Sequence, residues 1–326
     1  MTRLTVRPES WPIRGRFTIS RGSRTSAEVV VVELETHGVL GRGECVPYAR
    51  YGESVESVVA QIEALRSEIE GGLDRETLQQ RLPAGAARNA VDCALWDVAA
   101  KRASKRVWQL LDLPTPEPVA TCYTLSLDTA TRMAVAARAH SDRPVLKLKL
   151  EGPDDLARVS AVRENAPRSR LVVDANEAWT AEQYTALAPE LKDLGVELIE
   201  QPLPAGDDEA LAGMSRPVPV AADESCHTSA DLPDLAGKYD LVNVKLDKTG
   251  GLTEALKLKT QAVGQGFGLM VGCMVGTSLA MAPAVVLAQD AEIVDLDGPL
   301  LLAQDRDPGL TIDGSLLHPP PSALWG

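Results

Sequence analysis

The sequence predicts an α/β fold in which a TIM-type barrel follows a smaller α+β domain. Three observations predict it. From Thr121 onward short apolar runs alternate with helix-like stretches, five of those runs end in a polar motif, and the motifs recur about every 22–27 residues, one β-α unit each. The 326 residues leave room for both parts.

Taken in order, Glu28–Glu35 and Val39–Cys45 are extended runs joined at Thr36-His37-Gly38, which predicts a hairpin. Ser54 predicts a helix N-cap, with Val55, Val58, Val59, Ile62, Leu65 and Ile69 on one face and Gly71-Gly72 as the stop. A second helix is predicted over Ala86–Ala103, whose face of Val91, Ala94, Leu95, Val98 and Ala99 is small enough for close packing. Strands followed by helices, without alternation, predict an α+β domain over residues 1–116. The three prolines of Leu113–Pro118 end it, because proline cannot continue a helix. The barrel is expected over residues 117–304. Its strands are predicted at Thr121–Leu127, Val145–Leu150, Leu171–Val173, Val196–Ile199, Val218–Ala222, Leu241–Val244, Gly268–Val271 and Glu292–Leu296. Residues 305–326, with His318-Pro319-Pro320-Pro321, lack a helical period and are expected to return to the first domain.

Composition narrows the function. A net charge of -13 with no basic run argues against nucleic-acid binding, which needs a positive stripe. No stretch has the roughly 20 apolar residues of a membrane span, and the start lacks the apolar core of a signal peptide. Five dispersed cysteines without paired ligand spacing predict small buried hydrophobes in a reducing cytoplasm.

The five motifs are Lys147-Leu148-Lys149, Asp174-Ala175-Asn176, Glu200-Gln201-Pro202, Asp223-Glu224-Ser225 and Asn243-Val244-Lys245. In a (β/α)8 barrel the C-terminal strand ends converge on one mouth, so residues scattered in sequence gather into one site. Asp174, Glu200 and Asp223 are three hard carboxylates without Cys or His among them, a set that suits Mg²⁺. Lys149 and Lys245 fall four strands apart, on opposite walls. One amine there takes a proton from an α-carbon and the other returns one to the opposite face. The intermediate is an enediolate stabilised by the metal and by Lys147. Such a lysine base needs its pKa lowered toward neutrality, which a nearby cation and a second lysine would promote. Asp295 and Asp297 lie two apart at the last strand, where they would attract a substrate ammonium or cap the loop before Gly298-Pro299. Gly264-Gln265-Gly266-Phe267-Gly268 precedes a strand and reads as a turn. Thr249-Gly250-Gly251 reads as a tight turn under the site.

KLK, DAN, EQP, ADES and NVKLDKTGG, in this order and on these strands, resemble the muconate-lactonizing-enzyme subgroup of the enolase superfamily. The resemblance covers nearly the whole chain, and it implies a modified (β/α)7β barrel with an N-terminal capping domain and Mg²⁺. Within the subgroup the chain is most similar to the dipeptide epimerases, on Asp295-Leu296-Asp297 and on the loop Ser20-Arg21-Gly22-Ser23-Arg24. This implies epimerisation of L-Ala-D/L-Glu type dipeptides in the cytoplasm during murein peptide recycling, by an assembly of several identical subunits. By the same carry-over Asp295 and Asp297 clamp the ammonium, and Arg24 pairs with the glutamate side chain. Thr124, Cys273 and Val275 line the pocket. The alternatives within the fold are o-succinylbenzoate synthase, N-acylamino acid racemase and cycloisomerase. Outside that chemistry stand a Schiff-base aldolase and a non-catalytic metabolite-binding relative.

Overall fold

A computed structural model describes residues 2–326. The N-terminal part is a three-stranded antiparallel sheet, β1 (Thr2–Ile19), β2 (Gly22–Thr36) and β3 (Val39–Cys45), followed by helices α1 (Val55–Ala64), α2 (Arg66–Glu70), α3 (Arg75–Arg81) and α4 (Ala86–Arg102). Ser54 caps α1 through a reciprocal box with Ser57. The expected continuous helix to Ile69 is broken at Leu65. There the next turn docks on β1, with Arg66 donating to the Leu4 carbonyl at 2.7 Å and Glu70 accepting from the Leu4 amide. The hairpin is longer than predicted, and β1 is an edge strand that the sequence reading omitted.

α4 lies directly on β3. A Cβ on Gly43 would sit 2.1 Å from the Ala90 carbonyl oxygen, and one on Gly41 2.3 Å from Val98. Glycine on the strand and alanine on the helix together set the closeness of this contact.

Leu113–Pro118 carries no regular structure. After a short strand, β4 (Val119–Ala120), eight parallel strands follow: β5 (Tyr123–Leu125), β6 (Val145–Lys149), β7 (Arg170–Asp174), β8 (Val196–Glu200), β9 (Val220–Ala222), β10 (Leu241–Lys245), β11 (Gly268–Gly272) and β12 (Ile293–Asp295). Each lies within its predicted run or one residue beyond it, and β9 is shorter than its run by two residues. The strands pair in chain order. The circle closes when Cys122 N–H donates to the Val294 carbonyl at 2.8 Å and Leu296 N–H to the Thr121 hydroxyl at 2.8 Å. A buried layer of Cys122, Val145, Val172, Leu198, Ala221, Leu241, Met270 and Ile293, one residue from each strand or its lead-in, fills the interior. Burial of such side chains is worth about 1.5–3 kcal/mol each for the larger ones. Because strand side chains alternate, residues two and four positions beyond this layer also point inward, above it.

The chain then returns. β13 (Ile312–Asp313) pairs with β14 (Leu316–Leu317), which pairs with β4, and Trp325 is buried with its indole N–H on the Cys93 carbonyl of α4 at 3.0 Å. The tail therefore touches both the barrel foot and the N-terminal part.

Candidate active site

The alternation that builds the hydrophobic floor also builds the site. Val145 leads to Lys147 and Lys149, Val172 to Asp174, Leu198 to Glu200, Ala221 to Asp223, Leu241 to Asn243 and Lys245, and Ile293 to Asp295. All of these polar side chains are buried. β6 and β10 are separated by β7, β8 and β9, so Lys149 and Lys245 approach from opposite walls. Both line one small cavity of about 70 Å³ at the barrel mouth. Its other walls include Arg21, Arg24, Tyr48, Tyr51, Cys273 and Val275.

Each carboxylate between the lysines is engaged. Lys149 Nζ lies 2.5 Å from Asp174, and Lys245 Nζ lies 2.6 Å from Asp223. Lys147, in the centre, reaches Glu200 at 2.6 Å, Asp295 at 2.7 Å and Asp174 at 3.3 Å. Asn243 donates to Glu200 at 2.7 Å, and Lys248 donates to both Asp223 and the Asn243 carbonyl. With ammonium groups interposed, no group of three or more His, Cys, Asp or Glu side chains among the described residues is already arranged as a metal cage.

Contact with the carboxylates shifts two of these lysines upward. Burial alone would lower the pKa of Lys245, but Asp223 and Glu200 more than offset it and hold the ammonium above its usual range. Burial likewise works against Lys147, and Asp295, Glu200 and Asp174 outweigh it and raise it further. Both shifts arise because the carboxylates here are held by the lysines; the lowering expected above belongs to the arrangement with a bound cation. Asp174 shows the converse: burial pushes it up, and Lys149 and Lys147 pull it down to about 2.

The residues expected at the substrate end stand as follows. Asp295 pairs with Lys147 through one oxygen at 2.7 Å, and its other oxygen is buried without a donor. Asp297 lies beyond the strand and accepts from the Thr124 amide at 2.6 Å; burial first, then Asp295, push its pKa up to about 7. It occupies the N-cap position before Gly298 but makes no capping bond. Thr124 lines a neighbouring cleft with Phe17, Tyr123 and His140, rather than the central cavity.

Sequence reading gave no role to Lys248, Asn243, Glu224 or Arg21. The strand period could have placed Asn243, which stands two before Lys245 on the same face. Lys248 stands one helical turn after Lys245, and its partners depend on how that turn folds back. Gly250 and Gly251 shape the turn with φ of 72° and 109°, where a Cβ would strike Arg88 and Asp92 respectively.

A divalent cation fits this donor set by its chemistry and by its unmet acceptors. Among the described residues, oxygens of Asn176, Glu200, Glu224, Asn243 and Asp295 are buried without a hydrogen-bond donor; the Glu200 oxygen faces Lys147 only outside hydrogen-bond alignment. Lone pairs gathered without donors, beside three hard carboxylates, suit a cation of the magnesium type.

The family models agree with this architecture. Residues 1–112 match the mandelate racemase / muconate lactonizing enzyme N-terminal domain, and residues 128–319 match the enolase C-terminal domain-like family. The chain belongs to the enolase superfamily. Within the superfamily it is 50% identical to the L-Ala-D/L-Glu epimerase of Escherichia coli (strain K12), over 98% of this chain and 100% of that one. It is 46% identical to the N-acetyl-D-glutamate racemase of a Pseudoalteromonas species, over 91% and 95% of the two chains. Among solved enolase-superfamily structures, an Agrobacterium tumefaciens member with homology to dipeptide epimerases, with bound sodium, L-Ala-L-Glu and an ordered loop, superposes with a TM-score of 0.98 at 51% identity, covering 100% of both chains. A dipeptide epimerase of Enterococcus faecalis V583, complexed with Mg and L-Leu-L-Tyr, superposes at 0.90 with 30% identity, over 98% of this chain and 96% of that one.

Proposed function

We propose that this chain is an Mg²⁺-dependent isomerase that epimerises dipeptides of the L-Ala-D/L-Glu type at the α-carbon of the second residue. The observation that carries this reading is the pair Lys149 and Lys245, on opposite walls of one cavity with Asp174, Glu200 and Asp223 buried between them. Those three carboxylates would hold the metal, and when bound it would supply positive charge to a substrate carboxylate and so acidify the α-carbon. Taking Asp174 and Asp223 away from their lysines would free both amines and remove the main influence that now keeps Lys245 protonated.

Lys149 and Lys245 then face the α-carbon from its two sides. One accepts the α-proton while the other, as its ammonium, delivers a proton to the far face, and the centre inverts. The central Lys147 keeps a positive charge between them, where it can stabilise negative charge developing on the substrate. Asp297 receives the dipeptide ammonium, and Arg24, which lines the cavity beside Tyr48, receives the side-chain carboxylate of the second residue. Two backbone-lined positions, Cys273 and Val275, complete the wall. Support for the substrate comes from the epimerase relatives and from the dipeptide complexes. The reading places the enzyme inside the cell, in recycling of murein peptides, as a homo-oligomer.

A second reading, racemisation of N-acylamino acids, is favoured by one observation: one oxygen of Asp295 is taken up by Lys147, which weakens the pair of aspartates as a clamp for an ammonium. The two are separated by incubation in D₂O with magnesium and either L-Ala-L-Glu or N-acetyl-L-glutamate. The proposed function predicts deuterium at the glutamate α-carbon of the dipeptide and faster exchange there than in the N-acetyl compound. Exchange of the N-acetyl compound alone would transfer the assignment to the second reading.

A further inference from the structure

The turn between β1 and β2 reaches over the barrel mouth, and one side chain ties it down. Arg21 Nη1 donates to the Asn176 carbonyl at 2.8 Å and to Glu177 at 3.1 Å. Its Nη2 donates to Glu224 at 2.6 Å and to the Tyr48 hydroxyl at 3.0 Å. Ser20 adds a bond to the same Asn176 carbonyl at 3.3 Å. Apart from Tyr48, these anchor points are the segments that immediately follow Asp174 and Asp223, two of the three carboxylates assigned to the metal.

Both segments are shaped to meet the guanidinium. Asn176 and Glu177 adopt φ of 46° and 69°, consecutive left-handed residues that are not glycine. Each such residue costs about 1 kcal/mol or more, so neighbouring contacts must hold the pair in place. Asn176 N–H donates to Asp174 Oδ1 at 2.9 Å, while the carbonyl of the same residue faces Arg21. Glu177 is clasped between Arg21 and Arg50. On the other side Glu224 is buried, one of its oxygens has no donor, and Arg21 is the cation that pairs with the other. A buried carboxylate stripped of its cation is strongly destabilised. Asp174, Asn176, Arg21, Glu224 and Asp223 thus form one continuous path from one metal carboxylate to another, and it passes through the overhanging turn.

We propose that Arg21 is a positioning residue that couples closure of the β1–β2 turn to assembly of the metal site. The inference rests on the function proposed above. When the turn is down, the segments behind Asp174 and Asp223 are strapped at a fixed separation. When it lifts, Glu224 loses its counter-ion and the Asn176 carbonyl its donors. Coupling of this kind is reciprocal, so magnesium tightens the turn by the same factor by which the closed turn tightens magnesium.

The test uses the full chain and magnesium alone, with calorimetric titration and amide hydrogen exchange over residues 16–24. In the parent, magnesium slows exchange across the turn. Arg21→Gln is expected to weaken magnesium binding about tenfold, the lower part of the range for such couplings, and to abolish the protection. Arg21→Lys should recover part of both, since it restores the charge but not the forked geometry. Arg24→Gln, on the same turn, should leave magnesium affinity unchanged. Equal magnesium affinity and equal protection in Arg21→Gln and in an active parent would overturn the coupling and leave the proposed function standing. A parent that neither binds magnesium nor exchanges an α-proton would overturn both.

Discussion

At the scale of single residues the two lysines make separable predictions. Lys149→Ala and Lys245→Ala should each lower epimerisation by on the order of 10²–10⁴-fold. Each should still exchange the α-proton of one epimer with D₂O, and the epimer should be opposite in the two variants. Proton NMR of each pure epimer reads this directly; loss of exchange with the same epimer in both variants would contradict the two-wall arrangement. Asp297→Ala should reduce kcat/KM for a dipeptide by about 10–100-fold, the worth of a hydrogen bond to a charged group, and leave an N-acylamino acid nearly unaffected. The inward direction of Lys147, Lys149, Asp174, Glu200, Asp223 and Lys245 was legible in sequence, because it follows from strand ends and a period of two. Which carboxylate each lysine holds was not. The pairing of Lys147 with Asp295 spans the second and eighth strands and exists only once the ring has closed.

At the scale of elements, the α4–β3 contact sets how the N-terminal part sits. Gly43→Ala places a methyl group against the Ala90 backbone and must push the helix away, at a cost of about 1–3 kcal/mol. Gly264→Ala, near a helix end with open space around it, should be neutral or stabilising by up to about 1 kcal/mol. Thermal melts of the two variants test the pair, and similar melting temperatures would mean the helix yields freely. The close packing was readable from the small face of the predicted helix, although its glycine partners on the strand were not. β1 escaped because Pro8, Pro12 and a run with only Leu4 and Ile13 buried do not read as a strand. An edge position tolerates them, since one side of the strand makes no ladder.

For the whole molecule, the joint between the N-terminal part and the barrel carries a pH dependence. Asp92 on α4 accepts from the Thr253 hydroxyl at 2.6 Å and its amide at 3.0 Å, and from Gln79 at 3.2 Å. Burial nevertheless outweighs these bonds and raises its pKa from 3.8 to about 6. Below about pH 4 the carboxyl is neutral in both folded and unfolded chains. Between about 4 and 6 the unfolded chain ionises first, so stability falls as pH rises. Above 6 the charged group costs the folded state about 3 kcal/mol relative to an unshifted carboxylate. Denaturant unfolding of the parent and of Asp92→Asn should therefore diverge in the variant's favour by on the order of 3 kcal/mol from pH 4 to pH 7. A difference that stays constant over that range would show that Asp92 does not control it. Nothing in the helical pattern of Ala86–Ala103 announced this group, because its burial comes from a barrel segment more than 150 residues away.

The barrel seam has a consequence for tolerance. Seven junctions are backbone ladders, whereas the eighth, between the first and last strands, is completed partly by a hydroxyl of Thr121 and a carboxylate of Asp297. The proposed acceptor for the peptide's amino end stands on this seam, whereas Lys149 and Lys245 each end a strand that is laddered to the next one in the ring, as Lys149 with Asp174 and Lys245 with Gly272. On the proposed function, changes in the first amino acid of the dipeptide are therefore expected to be tolerated better than any displacement of the two lysines.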